Sequence, residues 1–304
     1  MEKIRNFLIM CSVLLAICSC GSGSDSEVDP SPPVPEEKLP IRISLSLNSI
    51  TRATEQSFEN GDKIGLFVTN YENGQKTKLK TIGNQVDNEC LTFNGMEWKS
   101  AKPLYWKDQT TKSDFYCYYP YTSSLSDVDN YVFNLTRDQR TDANYLSNNF
   151  LWGKAENVSP TSDAVPLKVF HAFSKIRINF IPGDGYTDAS LASAEKTIMI
   201  QNLKCSALIN FNDWTITASG SSEIIYPKAE DGHFVAMVIP QQIDNKELIS
   251  VTIDGYTYSL TQSMNIQSNK MYNCSLKINK TSEGINISIS PWDEDNIDYG
   301  GTLN

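Results

Sequence analysis

The chain has 304 residues, a formal net charge of −10 and a hydrophobic fraction of 40%. This acidic balance argues against nucleic acid as a partner, because nucleic-acid binding needs a concentrated basic face. No long block of like charges is present, so the acidity is spread over a solvated surface.

Residues 1–19 predict a lipoprotein signal peptide. They combine a short basic start with an apolar run, 7–17, that is too short for a bilayer-spanning helix of roughly 20 residues. Ser19 before Cys20 looks like a lipobox, which makes Cys20 the predicted lipidation site. Cys18 follows a bulky isoleucine and is a less favoured site. An ordinary cleaved signal with incidental cysteines is the alternative.

Residues 20–40 predict a disordered tether. The segment is polar, acidic and proline-rich, so it cannot bury enough apolar surface to repay the entropy of ordering. Its prolines favour a stiff, extended chain. The remaining roughly 260 residues suffice for one large or two ordinary domains.

Most of the remaining chain alternates apolar and polar residues with a period of two, which is typical of strands with one buried face. Asp254-Gly255 lies between two such runs and predicts a tight hairpin, because both central residues of the turn need positive φ. Helix signals are limited to 189–196 and a turn within 138–149. The predicted strands are 41–47, 63–68, 115–121, 131–135, 165–180, 197–200, 207–211, 214–217, 233–239, 248–253, 256–260, 271–278 and 285–289.

The strands divide into two groups at a polar stretch, 155–164. The thirteen predicted strands amount to between six and seven per domain on average, close to the number in a small β-sandwich, and no βαβ alternation is present. The sequence therefore predicts an all-β fold with two antiparallel β-sandwich domains in tandem, 41–160 and 161–304.

Four cysteines lie beyond the export signal, at wide spacing: Cys90, Cys117, Cys205 and Cys274. An exported compartment permits disulfides, and four cysteines allow three pairings. Free cysteine is, however, often a small core residue. We favour four buried thiols over two disulfides.

Motifs for catalysis are few. His171 lies among aromatic residues and is expected to be a core histidine, and neither it nor His233 belongs to a CxxC, HExxH, Walker, GxGxxG or GxSxG pattern. Residues 293–295 are acidic and favour a solvated loop over a calcium site. We predict no catalytic residue, no metal and no cofactor, although scattered carboxylates leave a glycosidase open.

A sugar-binding platform of tryptophans is a further alternative, but most tryptophans in strand-rich chains are core residues. The tryptophans are Trp98, Trp106, Trp152, Trp214 and Trp292.

Short motifs in a fixed order carry a resemblance to a known family. After the lipobox they are Thr51–Thr54, Phe58–Val68, Pro103–Trp106, Asp114–Tyr121, Leu151–Ala155, Phe170–Ile176 and Ile285–Trp292. Over residues 20–292 this set resembles the fimbrillin-like and Mfa-like lipoproteins of Bacteroidetes, whose polymerising members build type V pili. Cys117 departs from a common alanine.

The resemblance implies transthyretin-like sandwich domains, secretion to the outer membrane as a surface-exposed lipoprotein, a cut at an arginine, and polymerisation by strand exchange. Arg52 follows the first strand in a polar stretch that is expected to be exposed, so it is the predicted cut site and leaves Ala53 as the new N-terminus.

The predicted function is therefore a structural subunit of a surface pilus, or fimbrium, that serves cell adhesion and has no enzyme activity. Its expected partners are other pilus subunits, the outer membrane through its lipid, and a host protein or glycan. The alternative is a glycan-binding or accessory lipoprotein, or a tip or anchor subunit, that does not polymerise.

Strand exchange requires a particular residue pattern in the strand that replaces the first one. Removing the first strand exposes an apolar groove and two unpaired edges, and its replacement must present an apolar residue at every second position. The exchanged positions are Ile41, Ile43, Leu45 and Leu47. The donor candidates are Ile285, Ile287 and Ile289, together with Ile297, Tyr299 and Leu303 in the tail. The competing interpretation keeps 285–289 in its own domain and donates the tail alone, or nothing in a terminal subunit.

Overall fold

Strands account for most of the chain that the computed structural model describes, which is residues 38–47, 57–281, 284–289 and 293–294. The strands are β1 (Ile43–Leu47), β2 (Lys63–Asn70), β3 (Val86–Phe93), β4 (Trp98–Ser100), β5 (Ser113–Tyr119), β6 (Tyr131–Asn134), β7 (Leu151–Val158), β8 (Val165–His171), β9 (Ser174–Pro182), β10 (Lys196–Asn210), β11 (Thr215–Ile225), β12 (Lys228–Glu230), β13 (His233–Val238), β14 (Gln241–Ile253), β15 (Tyr256–Ile266), β16 (Met271–Thr281), β17 (Gly284–Ile289) and β18 (Asp293–Glu294). The helices are α1 (Asp142–Leu146) and α2 (Asp188–Ser193). The all-β prediction is confirmed, and within these ranges no helix has the length and apolarity to cross a bilayer.

The first sheet has seven strands in the order β1-β8-β7-β5-β2-β3-β4. Its pairs are antiparallel except at one edge, where β1 runs parallel to β8. The antiparallel prediction is therefore wrong for this edge, because the chain reaches β8 only after crossing the whole sheet.

Two further sheets follow. The five-stranded sheet has the order β11-β10-β14-β15, and β6 also pairs with β10. The six-stranded sheet has the order β12-β13-β9-β16-β17, with β18 also on β16, and its β9–β16 pair is parallel. The predicted strand 165–180 is thus two strands in different sheets, because buried Ala172 and Phe173 interrupt it.

Local sequence signals place several elements correctly. Asp254 and Gly255 adopt φ of 49° and 84° and join β14 to β15, as the hairpin signal predicts. Thr187 caps α2 by accepting a hydrogen bond from the Ser190 backbone. The separately predicted strands 197–200 and 207–211 are one long strand, β10, with register shifts between them.

Side chains on opposite faces of the first sheet enter two different cores. In β5, Tyr116 and Tyr118 face a large core shared with the other two sheets, while Phe115 and Cys117 face a smaller core. Both sets are buried, which explains why this strand is apolar without alternation. We call the smaller cluster the groove core, because β1 packs against it.

Contacts among the described residues from Lys38 onward define one compact unit. Across the predicted boundary at 160/161, β8 pairs with β7 in the first sheet, whereas β6 pairs with β10 of the second. The tandem domains with these boundaries stay a prediction.

Phe211 connects the sheets. It follows β10, it is fully buried, and its ring lies 5.5 Å from that of Tyr118 and 6.4 Å from that of Trp152 in the first sheet. Phe211→Ala is expected to lower the free energy of unfolding by about 3–5 kcal/mol, because burial is lost and a cavity is left.

Chemical denaturation measures this loss. The control, Ile82→Ala, removes a side chain that is 78% exposed and should change the free energy of unfolding by less than about 0.5 kcal/mol. Equal unfolding midpoints for the two variants would contradict the assignment of Phe211 to the core.

Candidate functional site

The first strand, β1, lies at the edge of the first sheet and covers the groove core. Ile43 to Leu47 pair residue by residue with Val165 to Val169 of β8. A further hydrogen bond joins the Val165 amide to the Arg42 carbonyl oxygen at 2.9 Å. Among the described strands, β1 pairs with β8 alone, so one strand's hydrogen bonds hold it.

The side chains of β1 alternate as the sequence predicts. Ile43 is 5% exposed and lies in the groove core, whereas Arg42 and Ser44 are exposed. Other apolar residues of the segment are half-buried against the same core: Leu39, Ile41, Leu45 and Leu47. Beside them in the sheet lie the buried side chains of β8, Val165, Leu167 and Val169, which are at most 2% exposed.

The start of this segment is held on its other side. The Ile41 amide donates to the Leu104 carbonyl at 2.8 Å, and the Trp106 amide donates to the Leu39 carbonyl at 3.0 Å. The segment thus lies between β8 and the loop 104–106. The two predicted edges are therefore unequal: one is a full strand, and the other is a short bridge.

A basic cavity adjoins this bridge. It has a volume of about 390 Å³, and its charged lining residues are Lys38, Lys102 and Lys107. The Lys38 ammonium lies 5.9 Å from the centre of the Tyr105 ring. Lys102 pairs with Glu89 at 3.0 Å, but within the described part of the chain no carboxylate pairs with Lys38 or Lys107. The cluster is not apparent from the sequence, because Lys38 is far from Lys102 and Lys107 in the chain.

The most buried carboxylate, Asp114, has structural partners. It lies 3.5 Å from the Lys76 ammonium, and it accepts hydrogen bonds from the Asn157 amide at 2.7 Å and the Tyr116 hydroxyl at 3.4 Å. Burial, followed by the Asp114 charge, raises the pKa of Tyr116 to about 12. Burial is the largest single effect and opposes the charge on Lys76, but the hydrogen bond to Glu156 and the charges of Tyr116, Glu156 and Asp114 together outweigh it and raise the Lys76 pKa. The paired groups stabilise the β5–β7 region.

Both histidines have structural surroundings. The Nδ1 atom of half-buried His171 lies 2.8 Å from the Asn149 side-chain oxygen. Burial, followed by the positive charge of Arg177, lowers the pKa of His233, whose Nε2 lies 3.6 Å from Glu230. The described residues hold no group of three or more His, Cys, Asp or Glu side chains with the geometry of a metal site.

The four cysteines are free thiols. Burial raises the pKa of Cys117 and Cys274 to about 12 and that of Cys205 to about 11. Cys90 is only half-buried, so the prediction of four buried thiols is wrong for that residue.

The tryptophans do not form one exposed platform. Trp98, Trp106 and Trp152 are at most 8% exposed. Half-buried Trp214 packs against Trp152, with ring centres 4.6 Å apart and ring planes tilted by 55°, and Trp292 lies outside the described residues. Their packing role matches the core interpretation.

The predicted site residues fall into two groups. The exchanged positions lie together in the groove, and 285–289 form β17, which pairs with β16 of the same chain. The others lie outside the described residues: Cys20, Arg52, Ala53, Ile297, Tyr299 and Leu303.

Comparison with known families decides the assignment. The model of the fimbrillin-like family matches residues 51–292. The chain belongs to the fimbrillin-like family. This fimbrillin-like chain is 23% identical, over 261 residues, to a Bacteroides uniformis protein named "Putative fimbrium subunit Fim1C", and the match covers 80% of this chain and 81% of that protein. A 70-residue match, 37% identical, to the Bacteroides ovatus "Putative fimbrium tip subunit Fim1C" covers 23% of this chain and 11% of that protein.

Solved structures share the fold of this fimbrillin-like chain. A crystal structure described as a putative cell adhesion protein from Bacteroides uniformis aligns with a TM-score of 0.64 at 19% identity, over 86% of this chain and 98% of that one. A similarly described protein from Bacteroides ovatus aligns with a TM-score of 0.65 at 18% identity, over 85% and 98%. The predicted family is confirmed, and the family and its relatives support a structural fimbrial role.

The contribution of β1 to stability can be measured at Ile43. Ile43→Ala is expected to lower the free energy of unfolding of the fimbrillin-like chain by about 2–5 kcal/mol, because the side chain is buried in the groove core. Urea denaturation of the uncut protein measures the change.

The control is Ser44→Ala, the next residue on the exposed face, with an expected change below about 0.5 kcal/mol. If Ile43→Ala were as stable as Ser44→Ala, β1 would not fill the groove.

Proposed function

We propose that this fimbrial structural subunit reaches the surface and joins its neighbours in three steps: lipoprotein export, a proteolytic cut and strand exchange. It is exported as a lipoprotein anchored at the outer membrane through Cys20. A protease cuts after Arg52 and leaves Ala53 as the N-terminus of the mature subunit. The first strand then leaves, and a strand from the next subunit takes its place in the fimbrium.

The position of β1 supports this proposal. It is a short edge strand, and the proposed cut lies only five residues beyond its last residue, Leu47. One strand and a short bridge hold it, so its release breaks few backbone hydrogen bonds. Its release uncovers the apolar side chains of β8 and an unpaired edge, and both favour a replacement strand.

The strand pairs within one chain indicate which C-terminal segment is free to be donated. Residues 284–289 form six pairs with β16, so donating them would break their own sheet. The tail beyond Trp292 carries apolar residues at positions of equal parity, Ile297, Tyr299 and Leu303. We therefore assign donation to the tail and leave β17 in its own chain.

The same mechanism accounts for the other expected properties. The proposed partners are neighbouring fimbrial subunits, the outer membrane through the lipid, and a host protein or glycan at the adhesive surface. The proposed role is structural and involves no catalysis, in keeping with the family. A glycan platform of tryptophans is not favoured, because three of the five are buried.

N-terminal processing has a direct test. Assembled wild-type protein should begin at Ala53, while Arg52→Ala should leave uncut, unassembled lipoprotein. Arg42→Ala is the matched control, because it removes an exposed arginine just before β1 and leaves the proposed cut site intact. Edman sequencing of fimbrial extracts measures the start, and assembled subunits that begin at Cys20 would refute the cut.

A fatty-acid probe in the same cells tests the anchor. Cys20→Ala should abolish the label and leave unprocessed precursor. Label that survives in Cys20→Ala and is lost in Cys18→Ala would move the lipid to Cys18.

Cysteine cross-linking tests strand exchange. Leu303→Cys is combined with Val169→Cys, because Val169 lies in β8 and pairs with Leu47 at the end of the first strand. In cells that assemble fimbriae, oxidation should give ladders of linked subunits, because each tail then lies in a neighbour's groove. Leu303→Cys with Leu208→Cys is the control, since Leu208 lies on β10 outside the groove.

Fimbriae that still form after deletion of 293–304 would rule out the tail as the joint. Disulfide cross-links found only within single chains would likewise rule out the tail as the joint between subunits.

A further inference from the structure

The basic cavity is continuous with the proposed assembly groove. Lys38 opens the segment that continues into β1, and loop 104–106, which hydrogen-bonds that segment, also lines the cavity. When the first strand leaves, Lys38 leaves with it. Lys102 and Lys107 stay, since both belong to the part of the chain that follows the cut.

The cavity concentrates positive charge on an acidic protein. The chain carries a net charge of −10, yet three ammonium groups line this one cavity. Glu36 and Glu37 precede Lys38 in the sequence, and among the described residues compensating groups are few. Glu89 pairs with Lys102, and the carboxylate of Asp108 accepts hydrogen bonds from Thr110 and Thr111 in its own turn. Lys38 adds a third positive charge to the lining of a cavity that Lys102 and Lys107 already make basic.

The donor tail carries the opposite charge beside its apolar residues. When the tail runs in the same direction as β1, four of its residues align with the four groove-facing residues of the first strand. Successive aligned residues are two positions apart in both segments. The equivalences are Ile297 for Ile41, Tyr299 for Ile43, Gly301 for Leu45 and Leu303 for Leu47. In this register Asp293 replaces Glu37, Glu294 replaces Lys38, and Asp295 replaces Leu39, which packs against the groove core. Glu294 then takes the place of Lys38 in the lining of the basic cavity.

We propose that the cavity formed by Lys102, Lys107, Leu104, Tyr105 and Trp106 receives Glu294, the centre of the acidic run Asp293–Asp295, from a second copy of this chain. This inference rests on the proposed strand exchange. It assigns the direction of the donated tail, which runs parallel to β8, and the register given above. In the opposite direction the acidic run would lie at the other end of the groove, beside Val169.

Replacement exchanges one charge at the cavity. The lysine that lines it together with Lys102 and Lys107 gives way to the carboxylate of Glu294, while Asp293 takes the place of another acidic residue, Glu37. The two occupants of the groove therefore differ in charge at the position that faces the basic cavity. In the donor chain, Asp293 and Glu294 pair with only two residues of β16. Their release therefore costs few hydrogen bonds.

The test uses the full chain with a specific protease site at Arg52, cut and freed of its first segment. The probe is a fluorescent peptide of residues 291–304. Lys102→Glu/Lys107→Glu should weaken peptide binding about tenfold at low salt, because both attractive charges become repulsive. The matched control, Lys204→Glu/Lys246→Glu, makes the same change in net charge on the five-stranded sheet and should bind like wild type.

Charge exchange provides the decisive comparison. A peptide with Asp293→Lys, Glu294→Lys and Asp295→Lys should bind the Lys102→Glu/Lys107→Glu chain more tightly than the wild-type chain. Thermal melting checks that each acceptor is folded, and Lys102→Gln/Lys107→Gln replaces the reversed pair if that pair melts early. Equal binding to all acceptors would overturn the role of the cavity and leave strand donation intact. A wild-type acceptor that binds no peptide would refute donation by this tail.

Discussion

The buried edge of β8 is the constraint on which the groove depends. Val165, Leu167 and Val169 present apolar side chains on one face and backbone hydrogen-bonding groups along one edge. An unpaired, apolar edge of this kind readily recruits another strand. Some strand must therefore cover β8, but the edge itself does not specify which chain supplies it. Within one molecule, parallel pairing with β1 covers this edge of β8.

This constraint gives physical meaning to motifs that sequence comparison singles out. Pro103–Trp106 supplies the backbone groups that hold the start of the first strand. Gly153 allows β7 to approach β8, since a Cβ at that position would lie 2.2 Å from the Lys168 carbonyl oxygen. Phe58 packs edge-on to Trp98, with ring centres 5.0 Å apart, and joins the groove core. The motifs are thus parts of one apolar groove and its walls.

The other face of the first sheet has a separate role. Its aromatic side chains join the second and third sheets in one large core, so this face supplies stability that does not depend on β1. Loss of the first strand affects the groove core, which is the smaller cluster. A sheet with two independently covered faces can therefore exchange an edge strand while its other face holds the fold together.

The sequence by itself determined the strand class, the alternating face of β1, the Asp254-Gly255 hairpin and helix α2. These features depend on periods of two and on short-range turn and capping chemistry, which neighbouring residues specify. It did not predict β3 and β4, whose residues lack a clear alternation. Only the tertiary structure decided that β1 runs parallel to β8, that β6 joins β10, and that Lys38, Lys102 and Lys107 line one cavity. The physical reason is that alternation fixes which face of a strand is buried, while its neighbours and direction depend on contacts between residues far apart in the chain.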